Sequence, residues 1–307
     1  MQKNYENLIV GAGITGATLA RLLAERGQSV LLIDKRATIA GNCYDYFDKN
    51  GQYLQLYGPH IFRTNDDKVW QFLSRFTTWK KYHHKVRVIV NGIEVPLPFN
   101  FTSIKKLFCK EKADIFISKL LQNYGENKKI SVLELKKSND KDLQELSAFI
   151  YENIFYNYTQ KQWGISPENL EEDIFLRVPI YTSDYDGYFT EKYQAIASNG
   201  YAKMIENMLN HKNITLQLDT DFKNLKNIKY SRLFYTGSID EFFDYKYGAL
   251  PYRSLTFKFE SIEKPEYQSV AVVNFPSKES YTRITEFKHF LDNNLSKTNQ
   301  NFYIKFL

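Results

Sequence analysis

A chain of 307 residues, 43% hydrophobic and 25% charged, holds enough apolar material for a large core and more than one domain, and its composition is that of an ordinary globular protein. The formal charge of +6 is dispersed, with Lys105, Lys106, Lys110 and Lys112 scattered over predicted helix faces, so nucleic acid is not indicated. No stretch reaches about 18 uninterrupted apolar residues and no signal-like pattern precedes the first strand, which argues against membrane spanning and export; two cysteines, Cys43 and Cys109, form neither a disulfide framework nor a metal-ligand spacing and fit a reducing cytoplasm.

Residues 8–10, Leu-Ile-Val, read as a short buried strand, followed at once by Gly11, Gly13 and Gly16 in G-x-G-x-x-G spacing. Gly11 permits the tight turn, Gly13 lets backbone approach a pyrophosphate, and Gly16 lets the following helix, residues 14–26, lie close to the strand. That helix aims its free N–H groups at the phosphates, and Gly27 stops it. Residues 29–33 form a second strand ending on Asp34, 18 residues beyond Gly16, whose carboxylate is in register to accept ribose hydroxyls and to repel a 2′-phosphate despite Arg36. The ligand expected here is a dinucleotide without that phosphate.

Further along, Gly41-Asn42 and Gly58-Pro59-His60 mark loops, and His60 either lines a cofactor or is a solvated loop histidine. Residues 66–76 have helical spacing, and Asn91-Gly92 between two apolar runs predicts a hairpin. From 103 to 162 the period is helical, ending on Tyr158-Thr159-Gln160-Lys161-Gln162-Trp163-Gly164. Residues 174–193 read as strands with a loop. The helix led by Gly200-Tyr201 and the strands 214–218 and 233–235 return to α/β patterning, so the nucleotide domain is discontinuous. Residues 254–260 and 269–275 resume an antiparallel sheet, ending on Tyr281-Thr282-Arg283.

Taken in order, the glycine turn, Gly41-Asn42, Gly58 with His60-Ile61-Phe62, Leu97-Pro98-Phe99-Asn100, the 158–164 stretch, Tyr188-Phe189, Tyr235-Thr236-Gly237, Gly248-Ala249-Leu250 with Tyr252-Arg253, and Tyr281-Thr282-Arg283 resemble the UDP-galactopyranose mutase family. The resemblance implies an α/β fold with a discontinuous Rossmann-like FAD-binding domain (1–80 and 198–245), an inserted helical domain (101–165) and an antiparallel β-sheet substrate domain (81–100, 166–197 and 246–290). It also implies a cytoplasmic homodimer that interconverts UDP-galactopyranose and UDP-galactofuranose, or acts on a related UDP-hexose, through a sugar adduct at N5 of reduced FAD.

Carried over by residue, the resemblance places Gly11, Gly13, Thr15, Gly16, Asp34, Lys35, Asn42, His60, Ile61, Phe222, Thr236 and Gly237 at FAD, with Asp34 where the family usually has Glu. It places His84, Phe155, Tyr158, Thr159, Trp163, Tyr188, Asn274 and Arg283 at the UDP-sugar, with Trp163 stacked on uracil. Catalytic weight falls on Arg283, whose fork of donors suits a departing diphosphate, and on His60 beside the flavin. For Trp163 and Tyr188 the other reading is core aromatics; for Arg283 it is a pair with Glu286. Tyr181 stands where the family commonly has a lid arginine. After Phe290 the sequence departs from the family pattern, so residues 291–307 are expected to be an atypical tail that exposes apolar side chains and leaves the flavin partly uncovered. Two other functions compete: a non-catalytic FAD/UDP-sugar-binding remnant, and another FAD enzyme of the amine-oxidase-like group, against which Trp163 in its T-Q-K-Q-W-G context argues.

Overall fold

The computed structural model describes residues 3–49, 51–164, 178–252, 254–264, 266–291 and, as backbone, 300–306. The chain forms two compact units, one of residues 1–82 with 191–252 and one of residues 83–190 with 253–307. Among the described residues no helix is long and apolar enough to cross a membrane, and no cluster of His, Cys, Asp or Glu is arranged to hold a metal.

The first unit is built on a four-stranded parallel sheet in the order Ile214–Gln217, Val30–Ile33, Lys3–Val10, Ile228–Tyr235. All four residues of Val30–Ile33 are buried, as a strand covered on both faces requires. The first strand is longer than its apolar run: it starts at Lys3 and pairs with the last strand from Lys3↔Ile228 to Val10↔Tyr235. Its outer half is largely exposed, so it carries polar residues and shows no hydrophobic signal. The helix Ile14–Glu25 buries Leu23 together with Gly16, Ala17, Ala20 and Ala24, whose small side chains let it lie against the sheet. The helix Tyr201–Leu209 packs beside it with Met204, Ile205, Met208 and Leu209 buried.

Asp45 fixes the start of that second helix. Its carboxylate accepts from the backbone N–H groups of Tyr201 at 2.6 Å and Ala202 at 2.8 Å, doing from a distant strand what an N-cap side chain does locally. A three-stranded antiparallel sheet, Phe62–Thr64, Tyr193–Ala197 and Trp79–Lys81, completes the unit. Its rings stack, with Trp70 and Tyr193 centred 4.5 Å apart and nearly coplanar in orientation at 7°.

The second unit holds a six-stranded sheet in the order Phe257–Glu263, Gln300–Phe306, Arg283–Glu286, Val272–Asn274, Val86–Val90, Ile93–Leu97. The hairpin between its last two strands turns on Asn91 (φ 50°) and Gly92 (φ 81°), the left-handed pair of a type I′ turn. The sheet is mixed rather than purely antiparallel, because Val272–Asn274 runs parallel to Val86–Val90; the helical segment lies between these strands in sequence and carries the chain back to the same end. The backbone of Gln300–Phe306 is no loose tail: it is hydrogen-bonded on both sides, to Phe257–Glu263 and to Arg283–Glu286.

The helices of this unit begin where capping side chains allow. Asn100 and Ser103 form a reciprocal capping box for Phe101–Leu107, and Asp140 caps Lys141–Ile150. The latter helix widens into a π turn over Tyr151–Tyr156, continues as Asn157–Trp163 and ends at Gly164 in the left-handed region (φ 68°). Such a widening shifts the angular position of the next turn and so sets where Tyr158 and Thr159 project.

Candidate active site

In the first unit the glycine turn forms a cradle. At Gly16 a Cβ would collide with the Gly11 carbonyl oxygen and sit 3.3 Å from Ile9, and at Gly11 (φ 107°) it would collide with the Thr236 hydroxyl. Gly13 differs: its extended φ suits any residue, and a Cβ there would meet only the Gly41 Cα at 3.9 Å. Gly13 faces open space, whereas Gly11 and Gly16 hold backbones together.

That space is a cavity of about 570 Å³ lined by Gly11, Gly13, Thr15, Asp34, Lys35, Asn42, Phe222, Thr236 and Gly237, among others. Nine predicted cofactor residues thus share one cavity. Gly16 is buried behind it as a packing residue. Asp34 is 8% exposed and accepts from Ala12 N–H at 2.8 Å through one oxygen and from Arg36 N–H at 2.8 Å through the other. It therefore locks the glycine turn as well as facing the cavity, and each oxygen retains a further lone pair for a ribose hydroxyl. The Arg36 guanidinium donates to Asn42 Oδ1 at 3.3 Å and lies over the Tyr57 ring, while Lys35 pairs with Glu241 at 3.3 Å.

His60 and Ile61 line a second, apolar cavity of about 560 Å³, which shares Ile14 and Cys43 with the first. His60 Nδ1 donates to the Gly58 carbonyl at 2.9 Å, and burial lowers its pKa, so the ring is neutral with Nε2 as an acceptor. A chain of side chains holds it: Asp45 accepts from the Tyr53 hydroxyl at 2.7 Å, Gln55 donates to that hydroxyl at 2.9 Å, and the Gln55 side-chain oxygen accepts the His60 backbone N–H. This network was not visible in the sequence, because it joins Asp45 to a short strand, Tyr53–Gln55, through side chains that no local periodicity marks.

The second unit collects the residues expected at the sugar nucleotide. Asn274 and Arg283 are direct cross-strand partners. His84, 4% exposed, lies near Arg283; burial first, and then the Arg283 positive charge, lowers its pKa to about 3. Its ring contacts Tyr188 edge-on at 5.7 Å and Phe189 at 5.6 Å, and its carbonyl accepts the Tyr188 N–H at 2.8 Å. Asn274 Oδ1 is buried without a hydrogen-bond partner among the described residues, so it has acceptor capacity to offer a ligand.

Arg283 and Glu286 lie three apart in one strand and so face opposite ways. Glu286, fully buried, accepts from the N–H groups of Tyr267 and Gln268 and faces His289 at 3.3 Å. Phe155 and Thr159 are buried at 8% and 4%, and Tyr158 is half-buried on the helix that follows the π turn. The Trp163 side chain and Arg253 lie outside the described residues. Tyr181, at the position of the lid arginine, is 4% exposed; its hydroxyl donates to the Tyr188 carbonyl at 3.5 Å, so it supports Tyr188 and supplies no charge.

His84 provides a pH test. Its folded pKa lies below the unfolded value, so its contribution to stability is complete above pH 6.5 and is lost as pH falls from there towards 3. Replacing it by Asn should flatten the stability profile between pH 6 and 4 by about 1.4 kcal/mol per pH unit, one proton's worth. Urea midpoints at several pH values measure this, and parallel profiles for the two proteins would contradict it.

A family model described as UDP-galactopyranose mutase matches residues 153–304, and one for an NAD(P)-binding Rossmann-like domain matches residues 9–76. The chain is 36% identical over 299 residues to the UDP-galactopyranose mutase of Mycoplasma genitalium, covering 93% of this chain and 74% of that one. It is 34% identical over 291 residues to the dTDP-fucopyranose mutase of Escherichia coli, covering 92% and 76%. A crystal structure of reduced UDP-galactopyranose mutase shares the fold, with a TM-score of 0.70 at 15% identity over 99% of this chain and 73% of that one. With more than a third of its residues identical across nearly its whole length, this chain belongs to the UDP-galactopyranose mutase family.

Proposed function

We propose that the protein is a flavin-dependent isomerase interconverting UDP-galactopyranose and UDP-galactofuranose, with FAD in the first unit and the sugar nucleotide held by side chains of the second. The observation that carries the reading is the Asn274–Arg283 pair: an arginine fork beside a buried, unsatisfied amide oxygen, with neutral His84 near the arginine. An arginine there holds the diphosphate and stabilises the charge that develops as UDP departs. Neutral His84 adds no second cation, and Tyr188 and Phe189 pack it in place.

Gly11, Gly13, Thr15, Asp34, Asn42 and Thr236 hold the pyrophosphate and ribose, and His60 and Ile61 border the ring. Bound and reduced, FAD supplies an electron-rich nitrogen nucleophile towards an anomeric carbon. The protein's own part is to hold the sugar, exclude water and stabilise the leaving diphosphate. Trp163 is placed at uracil by the family resemblance. The resemblance likewise supports a homodimer, and two free cysteines support a cytoplasmic location.

The experiment is to purify the full chain, record the visible absorbance of bound flavin, and assay the dithionite-reduced protein with UDP-galactofuranose. A parallel assay with dTDP-fucopyranose addresses the relative that acts on a dTDP sugar. Flavin with turnover of the UDP sugar is the expected result. Turnover of the dTDP sugar alone reassigns the substrate, and a colourless protein that FAD cannot reconstitute overturns the cofactor assignment.

A further inference from the structure

Lys161 lies in the helix Asn157–Trp163, three residues after Tyr158 and two after Thr159. Its ammonium donates to three backbone carbonyls, those of Phe275 at 2.6 Å, Glu279 at 3.2 Å and Tyr281 at 3.2 Å. An ammonium has three N–H donors and no acceptor, so this set uses its full capacity. All three carbonyls belong to the connection 275–282, which joins the strand ending on Asn274 to the strand beginning on Arg283. The Phe275 N–H donates to the Thr282 carbonyl at 2.8 Å, which closes that connection at its base.

We propose that Lys161 is a positioning residue for the sugar-nucleotide site: it clamps the 275–282 connection to the helix of Tyr158 and Thr159 and thereby fixes where Asn274 and Arg283 present their side chains. This rests on the reading of Asn274 and Arg283 as diphosphate-side residues.

Two features favour positioning over a generic surface contact. The lysine is half-buried, and burial lowers its pKa while the nearby Glu279 carboxylate opposes that shift, so its ammonium is partly desolvated where it meets the three carbonyls. The carbonyls converge on one point from both ends of the connection. A flexible link of this length has many conformations of similar energy, and three charge-assisted bonds from one rigid helix select among them. Arginine is a poor substitute, because its planar fork matches paired acceptors and not three carbonyls converging on a point.

The test uses the full chain with FAD and reads the dissociation constant of UDP, the flavin content and the thermal midpoint. Lys161→Met keeps the stem and removes the donors. It should weaken UDP binding at least fivefold with flavin content unchanged. In an Arg283→Ala background the same substitution should change the UDP dissociation constant by a smaller factor than in the parent, since only Asn274 is then left for it to position. Lys161→Arg should not restore binding. If Lys161→Met does not accumulate as folded protein, Lys161→Gln, which keeps a donor for one carbonyl, takes its place under the same thresholds. A lowered thermal midpoint with UDP affinity within twofold of the parent, or a penalty fully additive with Arg283→Ala, would overturn the proposal and leave Lys161 a stability residue. Failure of Arg283→Ala itself to weaken UDP binding would overturn the diphosphate reading and this inference with it.

Discussion

Arg283→Ala lowers turnover of UDP-galactofuranose by roughly 100- to 1000-fold, the effect expected when one donor aimed at developing transition-state charge is removed. The argument starts from position. Arg283 opens the strand Arg283–Glu286, which is bonded to Val272–Asn274 on one side and Gln300–Phe306 on the other, so its backbone is held by both neighbours. Its side chain faces away from Glu286, lies beside Asn274, and is close enough to His84 to help keep that ring neutral. The charge is therefore fixed in place before substrate arrives. Arg283→Lys should recover part of the loss, because an ammonium restores the charge without the two-pronged geometry. Single-turnover kinetics with reduced protein separates binding from chemistry. An Ala variant within threefold of the parent in turnover would move the diphosphate contact to another residue.

Gly13→Val should leave the fold intact and abolish flavin binding. The neighbouring glycines set the contrast. A Cβ at Gly16 strikes the Gly11 carbonyl, and one at Gly11 strikes Thr236 in a left-handed backbone, so substitutions there break the contact between turn, helix and strand. Gly13 has no such partner; its Cβ direction leads past Gly41 into the cavity that also exposes Asp34 and Asn42. A valine there occupies the approach of the pyrophosphate and costs the protein little. The expected outcome is a thermal midpoint of the cofactor-free protein near that of the parent, with flavin content below a tenth. Gly16→Val should instead lower the midpoint of the cofactor-free protein. Full flavin occupancy in Gly13→Val would show that the turn is not the phosphate cradle.

Local chemistry made certain features legible without coordinates. The glycine turn, the acid 18 residues on, the Asn91-Gly92 hairpin and the amphipathic helix at residues 201–209 each follow from steric limits or side-chain periodicity within a few neighbouring residues. Nine of the predicted cofactor residues line one cavity, since a parallel α/β unit brings its loops to one end of the sheet, while His60 and Ile61 line a second. Periodicity is silent where pairing is made by backbone alone. The polar first half of Lys3–Val10 becomes a strand because Ile228–Tyr235 lies beside it, and Gln300–Phe306 is held between two strands far from it in sequence.

The same limit applies at the site. Asp34 was legible as an acid at the end of a strand, yet that its two oxygens also lock the turn through Ala12 and Arg36 depends on the path of the loop. Lys161 stood in the sequence only as one member of the 158–164 stretch, with no role of its own. Three carbonyls of a connection more than a hundred residues later give it a function, and no pattern of side chains announces where backbone carbonyls will converge. The sequence by itself determined the chemistry available, a dinucleotide turn and a set of aromatic, amide and arginine side chains. Only the tertiary structure decided which of them meet, because hydrogen bonds between distant backbone segments depend on geometry that local composition does not encode.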